Sequence, residues 1–433
     1  MTADPLTAHS SVLKAVAPEV EAPAGRVVVT GAAGFLGWHT RARLATLGVF
    51  EGAGLTSLGR AQWEPESLAE AVRGLGPDDL VVQLAGINRG ADDNLAAGNV
   101  GLARDLIDAL EAARANPTVI FAGSNYADDD HPGRDTPYGR GKRAAGEALR
   151  DWGARASAPV VEFRFPGLFG EHGRPDYNSF VATFAHRIAN GAQPEVVGDR
   201  ELPLIHVQDA VALLLGAAHA ARVGEAPGQR VVHPLGRPVL ISAMAQRLRE
   251  LHATYAPAGD IPALRDTFDV RLFNTLRAAM WPSAYPFRPT AHRDERGALV
   301  ETVRVHPAGS GGQAFVSTTR PGFTRGNHVH LAKIERFQVI SGSGVIRLRR
   351  LLEGPVLEFA VDGEHPAVID MPTLWTHSIE NTGDTPLVTA FWANELLDPQ
   401  HPDTYPMAVL DGPDRPASTT PVTTATTATG RPR

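Results

Sequence analysis

The spacing of apolar positions changes its period once along the chain. From about Arg26 to Met280, short apolar and β-branched runs alternate with stretches rich in Ala, Leu and Arg that have helical spacing. Beyond Pro289, short apolar runs are separated by Gly and Pro turns. Alternating strands and helices are typical of a parallel sheet covered by helices, and closely spaced short strands are typical of a barrel or sandwich. The pattern predicts an α/β region followed by an all-β region.

This change of period predicts the domain boundaries. The stretch "MWPSAYPFRPTAHRDERG" interrupts any periodic element, so we predict an α/β domain over residues 26–285 and an all-β domain over residues 286–411. Residues 1–25 and 412–433 are rich in small and polar residues without periodicity, and we predict disordered tails there. A chain of 433 residues is long enough for two hydrophobic cores.

Composition excludes several classes of protein. No apolar run reaches the roughly 18 residues of a membrane span, so we expect no membrane insertion. The net charge is −7 and no basic block is present, so nucleic acid is not an expected partner. The chain has no cysteine, so any metal must be held by His, Asp or Glu. The N-terminus lacks a secretory pattern, which predicts a cytoplasmic protein.

A strand, a glycine-rich turn and a helix open the α/β region. The stretch "RVVVTGAAGFLGWHTRARLATLG" passes from β-branched residues through Gly31, Gly34 and Gly37 into helical spacing. Glycines permit a tight turn and close backbone approach, and the helix N-terminus presents unpaired N–H groups to a pyrophosphate. We predict a dinucleotide site that includes these glycines with Phe35 and Leu36, rather than a structural turn of another α/β fold.

Two further segments bear on the cofactor. The second strand, "GLTSLGR", ends in Arg60 and lacks the acidic residue that would bind a ribose 2′-hydroxyl. A guanidinium suits a 2′-phosphate and favours NADPH over NADH, although Arg60 is equally compatible with a solvated surface charge. The stretch "DLVVQLAGINR" predicts a buried strand followed by a loop beneath the cofactor at Leu84, Ala85 and Gly86.

Three residues suit carbonyl reduction. Ser124 follows the apolar run "TVIFAG", and "TPYGRGK" places Tyr138 and Lys142 four residues apart on one helical face. A phenol with a pKa of about 10 is a poor acid at neutral pH, so we expect the ammonium of Lys142 to lower the pKa of Tyr138. Ser124 would hydrogen-bond the carbonyl that Tyr138 protonates while a nicotinamide delivers hydride.

These glycines and the Ser, Tyr and Lys set resemble the extended short-chain dehydrogenase/reductase family, which chiefly modifies nucleotide sugars. The resemblance implies a Rossmann-type doubly wound parallel sheet. It also implies cofactor contacts from Tyr138, Lys142 and Pro166 in "FRFPGLFG", and gives Asn99 in "GNV" a structural or relay role at the substrate side. Asn178 and Arg200 are the candidates for contacting the nucleotide or diphosphate of the substrate, although both are compatible with surface positions.

Histidines and a glutamate in the all-β region have metal-ligand spacing. In a strand, residues i and i+2 share a face, so His328 and His330 can approach one ion together. Glu335 would return from the adjacent part of the sheet, and "PTLWTHSIEN" supplies His377 from a later strand. Three imidazoles and a carboxylate suit a first-row divalent metal such as Zn, Mn, Fe or Ni.

This spacing resembles the cupin family, whose fold is an all-β jelly-roll barrel. The first cupin motif is reproduced by Gly322, His328, His330, Glu335 and Gly342. The second motif is partial, since Pro372, His377 and Asn381 fit but Leu374 stands where a glycine is usual.

The two halves in this order, with segments such as "LAGINR", "GNHVH" and "ERFQVISGSGVIR", resemble the CapF-like enzymes of capsular-polysaccharide synthesis over nearly the whole chain. The resemblance implies reduction of a UDP-linked 2-acetamido-2,6-dideoxy-4-ketohexose by NADPH. It also implies inversion at carbon 3 by a zinc-binding cupin, and a homodimer. The longer tails and the single serine in "FAGSN" leave the exact sugar open.

Three alternatives remain open at this point. The cupin is compatible with a non-catalytic role in stability or dimerisation, and the whole chain with a cofactor-sensing regulator whose cupin binds a ligand. An intact Ser124, Tyr138 and Lys142 argues against a sensor, which needs no proton donor. Nucleotide-sugar epimerases and dehydratases also use the Tyr and Lys pair. Dehydration is disfavoured because Asn125 and Tyr126 stand where those enzymes usually have Asp and Glu.

Overall fold

The computed structural model describes residues 20–224, 229–295, 297–306 and 311–410. Apart from residues 20–25, both predicted tails lie outside the described residues. Helices and strands are numbered here in chain order. The helices of the described part are α1 Phe35–Thr46, α2 Pro65–Val72, α3 Asp92–Ala113, α4 Pro137–Ala156, α5 Phe180–Ala189, α6 Val207–Arg222, α7 Ile241–Tyr255 and α8 Thr267–Met280.

Strands divide into two groups along the chain. Those interleaved with helices are β1 Val27–Thr30, β2 Phe50–Glu51, β3 Gly54–Leu58, β4 Leu80–Gln83, β5 Thr118–Ala122, β6 Val160–Phe163, β7 Gly167–Phe169, β8 Glu201–His206, β9 Gln229–Val232 and β10 Arg237–Leu240. Those that follow α8 are β11 His292–Asp294, β12 Gly297–Leu299, β13 Gln313–Thr319, β14 Thr324–Val329, β15 Glu335–Ser341, β16 Ser343–Arg350, β17 Leu357–Asp362, β18 Val368–Met371, β19 Trp375–Asn381, β20 Leu387–Ala393 and β21 Tyr405–Pro406.

Seven strands of the first group form a parallel sheet in the order β2-β3-β1-β4-β5-β6-β9. The other three form a separate sheet in the order β10-β8-β7. Strands β1, β4, β5 and β6 are buried at every position, as expected for a parallel sheet covered on both faces. The chain runs from β1 to β3 on one side and then crosses to β4 on the other. This reversal opens a crevice at the carboxyl ends of β1 and β4, where ligands bind in such sheets.

Helices cover both faces of this sheet. Leu44 of α1 and Leu214 of α6 pack in the apolar core of one face. Val72 of α2, Leu106 of α3 and Leu149 of α4 pack in the core of the other face. The α/β half of the predicted fold is therefore confirmed as a doubly wound, Rossmann-type domain. None of the helices in the described part of the chain combines the length and apolar character needed to cross a membrane.

Nine strands of the second group form two antiparallel sheets, in the orders β13-β20-β15-β18 and β17-β16-β19-β14-β21, and β11 pairs with β12. Phe337 and Phe391 from the first sheet meet Ile346, Leu348 and Ile379 from the second in one apolar core. Two antiparallel sheets joined by such a core form the predicted jelly-roll barrel. The all-β half of the fold prediction is confirmed, and the exact domain boundaries stay predictions.

The two halves are packed tightly against each other through α1. Trp38 and Ala42 of α1 share a buried apolar cluster with Val329, Leu331 and Leu374 of the barrel. A second shared core joins α5, α7 and α8 to barrel residues, and its members on the barrel side are Ala332, Ile334, Val368 and Trp392. The helix that follows the glycine-rich turn is therefore also part of the interface with the barrel.

Buried polar groups also cross this interface. Glu171 is fully buried; one of its carboxylate oxygens lies 3.0 Å from His206 Nε2, and the other accepts a hydrogen bond of 2.9 Å from the Thr373 hydroxyl. Burial by itself raises the pKa of Glu171, but the neighbouring His206 outweighs it and holds that pKa below its usual range. Elsewhere in the interface, Arg336 forms a two-pronged ion pair with Asp370, which also accepts a hydrogen bond from the hydroxyl of Tyr255 on α7.

The Thr373 contact yields a stability prediction. In Thr373→Val, one oxygen of the buried Glu171 carboxylate loses its partner, and an unsatisfied buried group costs about 1–3 kcal/mol. We expect a decrease of that size in the free energy of unfolding, measured in urea. Thr373→Ser keeps the hydroxyl and is the matched control. Equal stability of the Val and Ser variants would contradict a stabilising hydrogen bond across the interface.

Candidate active site and metal centre

The glycine-rich turn lies at the carboxyl end of β1. Gly31 has φ +62°, a conformation that favours glycine, and a Cβ there would lie 2.7 Å from the backbone of Leu84 and Ala85. A Cβ on Gly37 would lie 2.2 Å from the carbonyl oxygen of Gly31. Gly34 caps α1 in an extended conformation and is exposed. The first N–H groups of α1 therefore face an open crevice, the geometry that binds a pyrophosphate.

The loop after β4 is held beside this turn. The Thr30 hydroxyl accepts hydrogen bonds from the backbone N–H groups of Leu84 (3.0 Å) and Ala85 (3.1 Å). Asn99 is buried, and its side-chain amide makes three hydrogen bonds to the backbone of Ile87 and Leu95. This favours the structural role of Asn99 over direct substrate contact, because its amide is already occupied; the substrate-side assignment stays a prediction.

Ser124, Tyr138 and Lys142 converge at the carboxyl edge of the sheet. Ser124 follows β5 and hydrogen-bonds the Tyr138 side chain. Thr136 caps α4, accepting the N–H of Gly139 at 3.2 Å, so that Tyr138 lies in the first turn and Lys142 one turn further on. A Cβ on Gly86 would lie 3.1 Å from Lys142 Nζ. The cofactor loop and Lys142 are therefore neighbours.

The pKa expected for Tyr138 is corrected by this geometry. Burial raises the pKa of Tyr138, and the hydrogen bond from Ser124 offsets only part of that rise. Lys142 donates to the Ala122 carbonyl at 2.9 Å, and burial lowers its own pKa to about 8. Burial therefore decides the state of Tyr138, which is a protonated phenol suited to donate a proton.

The remaining reductase-side candidates lie around the same edge. Arg60 is exposed in a short 3₁₀ turn just after β3, and Pro166 is buried between β6 and β7. The side-chain oxygen of Asn178 accepts a hydrogen bond from Arg89 Nε at 3.1 Å. Arg200 is exposed immediately before β8. Asn178 is thus joined to the loop after β4. In the described part of the chain, Arg200 makes no hydrogen bond or ion pair with Ser124 or Tyr138.

The four predicted metal ligands come together in the barrel. His328 on β14 lies opposite His377 on β19, and their Nε2 atoms are 3.1 Å apart. Glu335, at the start of β15, has its Oε2 atom 3.2 Å from His330 Nε2 and 3.3 Å from His377 Nε2. All four ligand atoms lie within 4.8 Å of one another, so a single ion can contact them together.

Hydrogen bonds outside this cluster orient two of the imidazoles. His330 Nδ1 lies 2.6 Å from the carbonyl oxygen of Asp403, and His377 Nδ1 lies 3.4 Å from that of Trp375. A carbonyl only accepts, so the close Asp403 contact places a proton on His330 Nδ1 and leaves Nε2 free as a metal ligand. The donor set and its outer partners therefore fit a resident divalent cation.

Electrostatics keep this ligand set in its binding form. Burial lowers the pKa of His377 to about 3, and burial also lowers that of His328. Burial raises the pKa of Glu335, but His330 and the hydrogen bonds from the histidines together lower it by more. The pKa of Glu335 therefore lies well below its usual range. Neutral imidazoles at His328 and His377 beside an anionic Glu335 carboxylate are the protonation states that bind a cation.

Comparison with known proteins identifies both halves. Residues 27–232 match the NAD dependent epimerase/dehydratase family, and residues 292–405 match the polysaccharide biosynthesis C-terminal domain. A UDP-2-acetamido-2,6-beta-L-arabino-hexul-4-ose reductase of Pseudomonas aeruginosa is 31% identical over 395 residues, covering 89% of this chain and 100% of the relative. The capsular polysaccharide assembling protein CapF of Staphylococcus aureus has a crystal structure that is 31% identical, covers 89% of this chain and 100% of its own, and has a TM-score of 0.53. The chain belongs to the CapF-like family.

Sequence reasoning missed one residue that shapes the metal site of this CapF-like chain. The carboxylate of Asp403 accepts the backbone N–H groups of Leu331, Ala332 and Lys333, while its carbonyl faces His330. It thereby fixes the loop that joins β14 to β15, the strands of His328 and Glu335. No sequence pattern indicates this contact, because Asp403 is 73 residues from His330 and belongs to neither cupin motif.

The ligand geometry predicts metal retention. We expect the purified protein to hold a divalent ion, and Glu335→Gln or His377→Ala to lower its affinity on the order of 10- to 100-fold or more, since loss of an outer-shell partner alone has that effect. Elemental analysis after dialysis against a chelator measures this. His365→Ala removes an exposed histidine of the same barrel and serves as control. Equal metal loss in the control and in His377→Ala would refute the assignment.

Proposed function

We propose that the protein uses NADPH to reduce the 4-keto group of a UDP-2-acetamido-2,6-dideoxyhexos-4-ulose, after its cupin domain has inverted carbon 3. The observation that carries the proposal is the convergence of Ser124, Tyr138 and Lys142 beside the glycine-rich turn, in one chain with the His328, His330, Glu335 and His377 cluster. The name of the Pseudomonas aeruginosa relative, a UDP-hexulose reductase, supports the substrate class.

The reductase residues suit proton donation to a carbonyl. Tyr138 is a protonated phenol, hydrogen-bonded to Ser124, whose hydroxyl in turn accepts the Tyr126 N–H at 3.3 Å. In the proposed reaction, Ser124 donates to the substrate carbonyl oxygen and Tyr138 transfers its proton to that oxygen. The nicotinamide supplies hydride to carbon 4 when bound. Lys142, held beneath Gly86, stabilises the phenolate left behind.

The preference for NADPH rests on Arg60. Its position two residues after the end of β3 is where a Rossmann fold meets the adenosine ribose. Among the described residues, no carboxylate forms an ion pair with this exposed guanidinium. An available cation at this position favours a ribose that carries a 2′-phosphate.

The cupin half is proposed to act on the same ketone before it is reduced. Inversion at carbon 3 requires removal of a proton that is acidic only while carbon 4 is a ketone. A divalent ion, proposed to be zinc, would polarise that ketone when held by the four ligands. Reduction destroys the acidity, so the reductase step must come second and makes the inversion irreversible.

We also propose a homodimer that serves capsular or related deoxyaminosugar synthesis. Phe315 and Val316 are exposed on β13, which lies at the edge of its sheet. An apolar edge strand is a surface that proteins cover by pairing or by association. The name of the Staphylococcus aureus relative, a capsular polysaccharide assembling protein, supports the pathway class.

Lys142 predicts how the reductase responds to pH. Because its pKa lies near 8, the ammonium loses its charge as the pH rises through that value and no longer stabilises the phenolate of Tyr138. We expect kcat/KM for NADPH oxidation to be steady at neutral pH and to fall above about pH 8. A kcat/KM that stays level up to the ordinary pKa of lysine would contradict a lowered pKa for Lys142.

Two reciprocal variants test the proposed reactions. The protein is incubated with a UDP-4-keto-6-deoxy-N-acetylhexosamine in deuterated water, with and without NADPH. Tyr138→Phe removes the general acid, so NADPH oxidation should fall about 10²- to 10⁴-fold while deuterium still enters carbon 3. Glu335→Gln should abolish deuterium entry, yet still reduce a ketosugar supplied as the 3-epimer. Mass spectrometry and absorbance at the NADPH band measure the two outcomes.

The reductase step and the epimerisation step are tested by different results. Unchanged NADPH oxidation in Tyr138→Phe would overturn the reductase mechanism. Deuterium entry that persists in Glu335→Gln would place epimerisation elsewhere and leave the barrel with a supporting role.

A further inference from the structure

Tyr126 is an exposed aromatic side chain beside the predicted proton donor. Its relative exposure is 39%, although Ser124 and Ala127 on either side in the same turn are buried. Its ring lies 5.7 Å from the ring of Tyr138 between centroids, at an interplanar angle of 76°. The exposed part of Tyr126 therefore borders the space next to the catalytic phenol.

Packing fixes the Tyr126 ring in this position. The ring lies 4.3 Å from that of His131, and a Cβ on Gly133 would lie 2.4 Å from Tyr126 Cδ1. His131 is itself fixed, because its Nδ1 atom accepts the Gly133 N–H at 2.9 Å. Only a residue without a side chain at position 133 leaves room for the ring. An exposed ring that its neighbours hold in one position is preorganised for binding. A ligand that packs against it costs little side-chain entropy.

The backbone of Tyr126 is joined to the same catalytic unit. Its N–H donates to the Ser124 hydroxyl oxygen at 3.3 Å, a contact that uses a lone pair of that oxygen and not the hydroxyl hydrogen. Main chain and side chain of one residue thus contact both members of the Ser124 and Tyr138 pair. A change of the side chain alone leaves the backbone contact in place, so the two roles can be separated by mutation.

We infer that the ring of Tyr126 is the wall against which the hexose of the nucleotide sugar lies, and that this contact sets the position of the 4-carbonyl between Ser124 and Tyr138. The inference rests on the proposed function and adds a substrate-contacting residue to it. The C–H bonds and the 6-methyl group of a deoxyhexose form an apolar face that suits an aromatic ring.

Kinetics test this contact through three variants. Tyr126→Ala removes the wall, and a misplaced carbonyl should lower kcat/KM for the ketosugar on the order of 10- to 100-fold. The KM for NADPH should not change, because the cofactor contacts are elsewhere. Tyr126→Phe keeps the ring and should retain activity. Phe323→Ala removes an exposed aromatic side chain (61%) of the other domain, to which no role is assigned, and is the control.

A binding measurement separates this inference from the proposed reaction. The measurement is saturation-transfer difference NMR with UDP-N-acetylglucosamine as the probe. In Tyr126→Ala, the saturation of the hexose protons should decrease relative to that of the uracil protons. In Tyr126→Phe, this ratio should stay as in the wild type. That result supports the wall even for a protein that fails to oxidise NADPH, an outcome that would overturn only the proposed reaction.

Two results would overturn the inference. One is an unchanged ratio of hexose to uracil saturation in Tyr126→Ala together with unchanged kcat/KM in a wild type that turns over. The other is a Tyr126→Phe variant as impaired as Tyr126→Ala, which would assign the effect to the phenol hydroxyl instead of the ring.

Discussion

The contact between helix α1 and strand β14 is the constraint on which both sites depend. The N-terminus of α1 forms the dinucleotide turn, and one face of the helix buries Trp38 and Ala42 against the barrel. On the barrel side, Val329 fills this contact, and the two residues that flank it in sequence are His328 and His330. Side chains alternate along a strand, so the residue between the two ligands points away from the metal cluster and toward the helix. One strand therefore builds the metal site on one face and the domain interface on the other.

Apolar and polar contacts make different contributions to this interface. Fully burying a large apolar side chain stabilises by about 1.5–3 kcal/mol, whereas a hydrogen bond contributes a net of about 0.5–1.5 kcal/mol. The apolar cluster thus supplies most of the adhesion between the domains. The Glu171 and Thr373 contact adds specificity, because a buried carboxylate tolerates only an arrangement in which its oxygens find partners. Together they hold the barrel in one orientation on the reductase domain.

The sequence predicted what depends on local spacing and missed what depends on distant contacts. The change of period, the glycine-rich turn and the pair of histidines two apart each follow from a repeat of 3.6 or 2 residues or from a turn. The structure brings Ser124 to Tyr138 and His328 to His377 as that reasoning expected. The pKa of Tyr138 was predicted wrongly, because spacing along a helix does not reveal the burial that raises it. Asp403 and Thr373 act across 73 and 202 residues, a range at which composition and period carry no information.

Leu374 shows how the interface accounts for a departure from the cupin motif. It stands where a glycine is usual and adopts φ +67°, so the backbone keeps the glycine-like conformation, and its N–H donates to the His330 carbonyl at 2.8 Å. A left-handed residue other than glycine costs about 1–2 kcal/mol. The Leu374 side chain is fully buried in the cluster with Trp38, which stabilises by about 1.5–3 kcal/mol and offsets that strain. A glycine would satisfy the metal-side loop equally well but would leave a cavity beneath α1. The leucine is thus explained by domain packing, and its presence is no argument against a functional metal site.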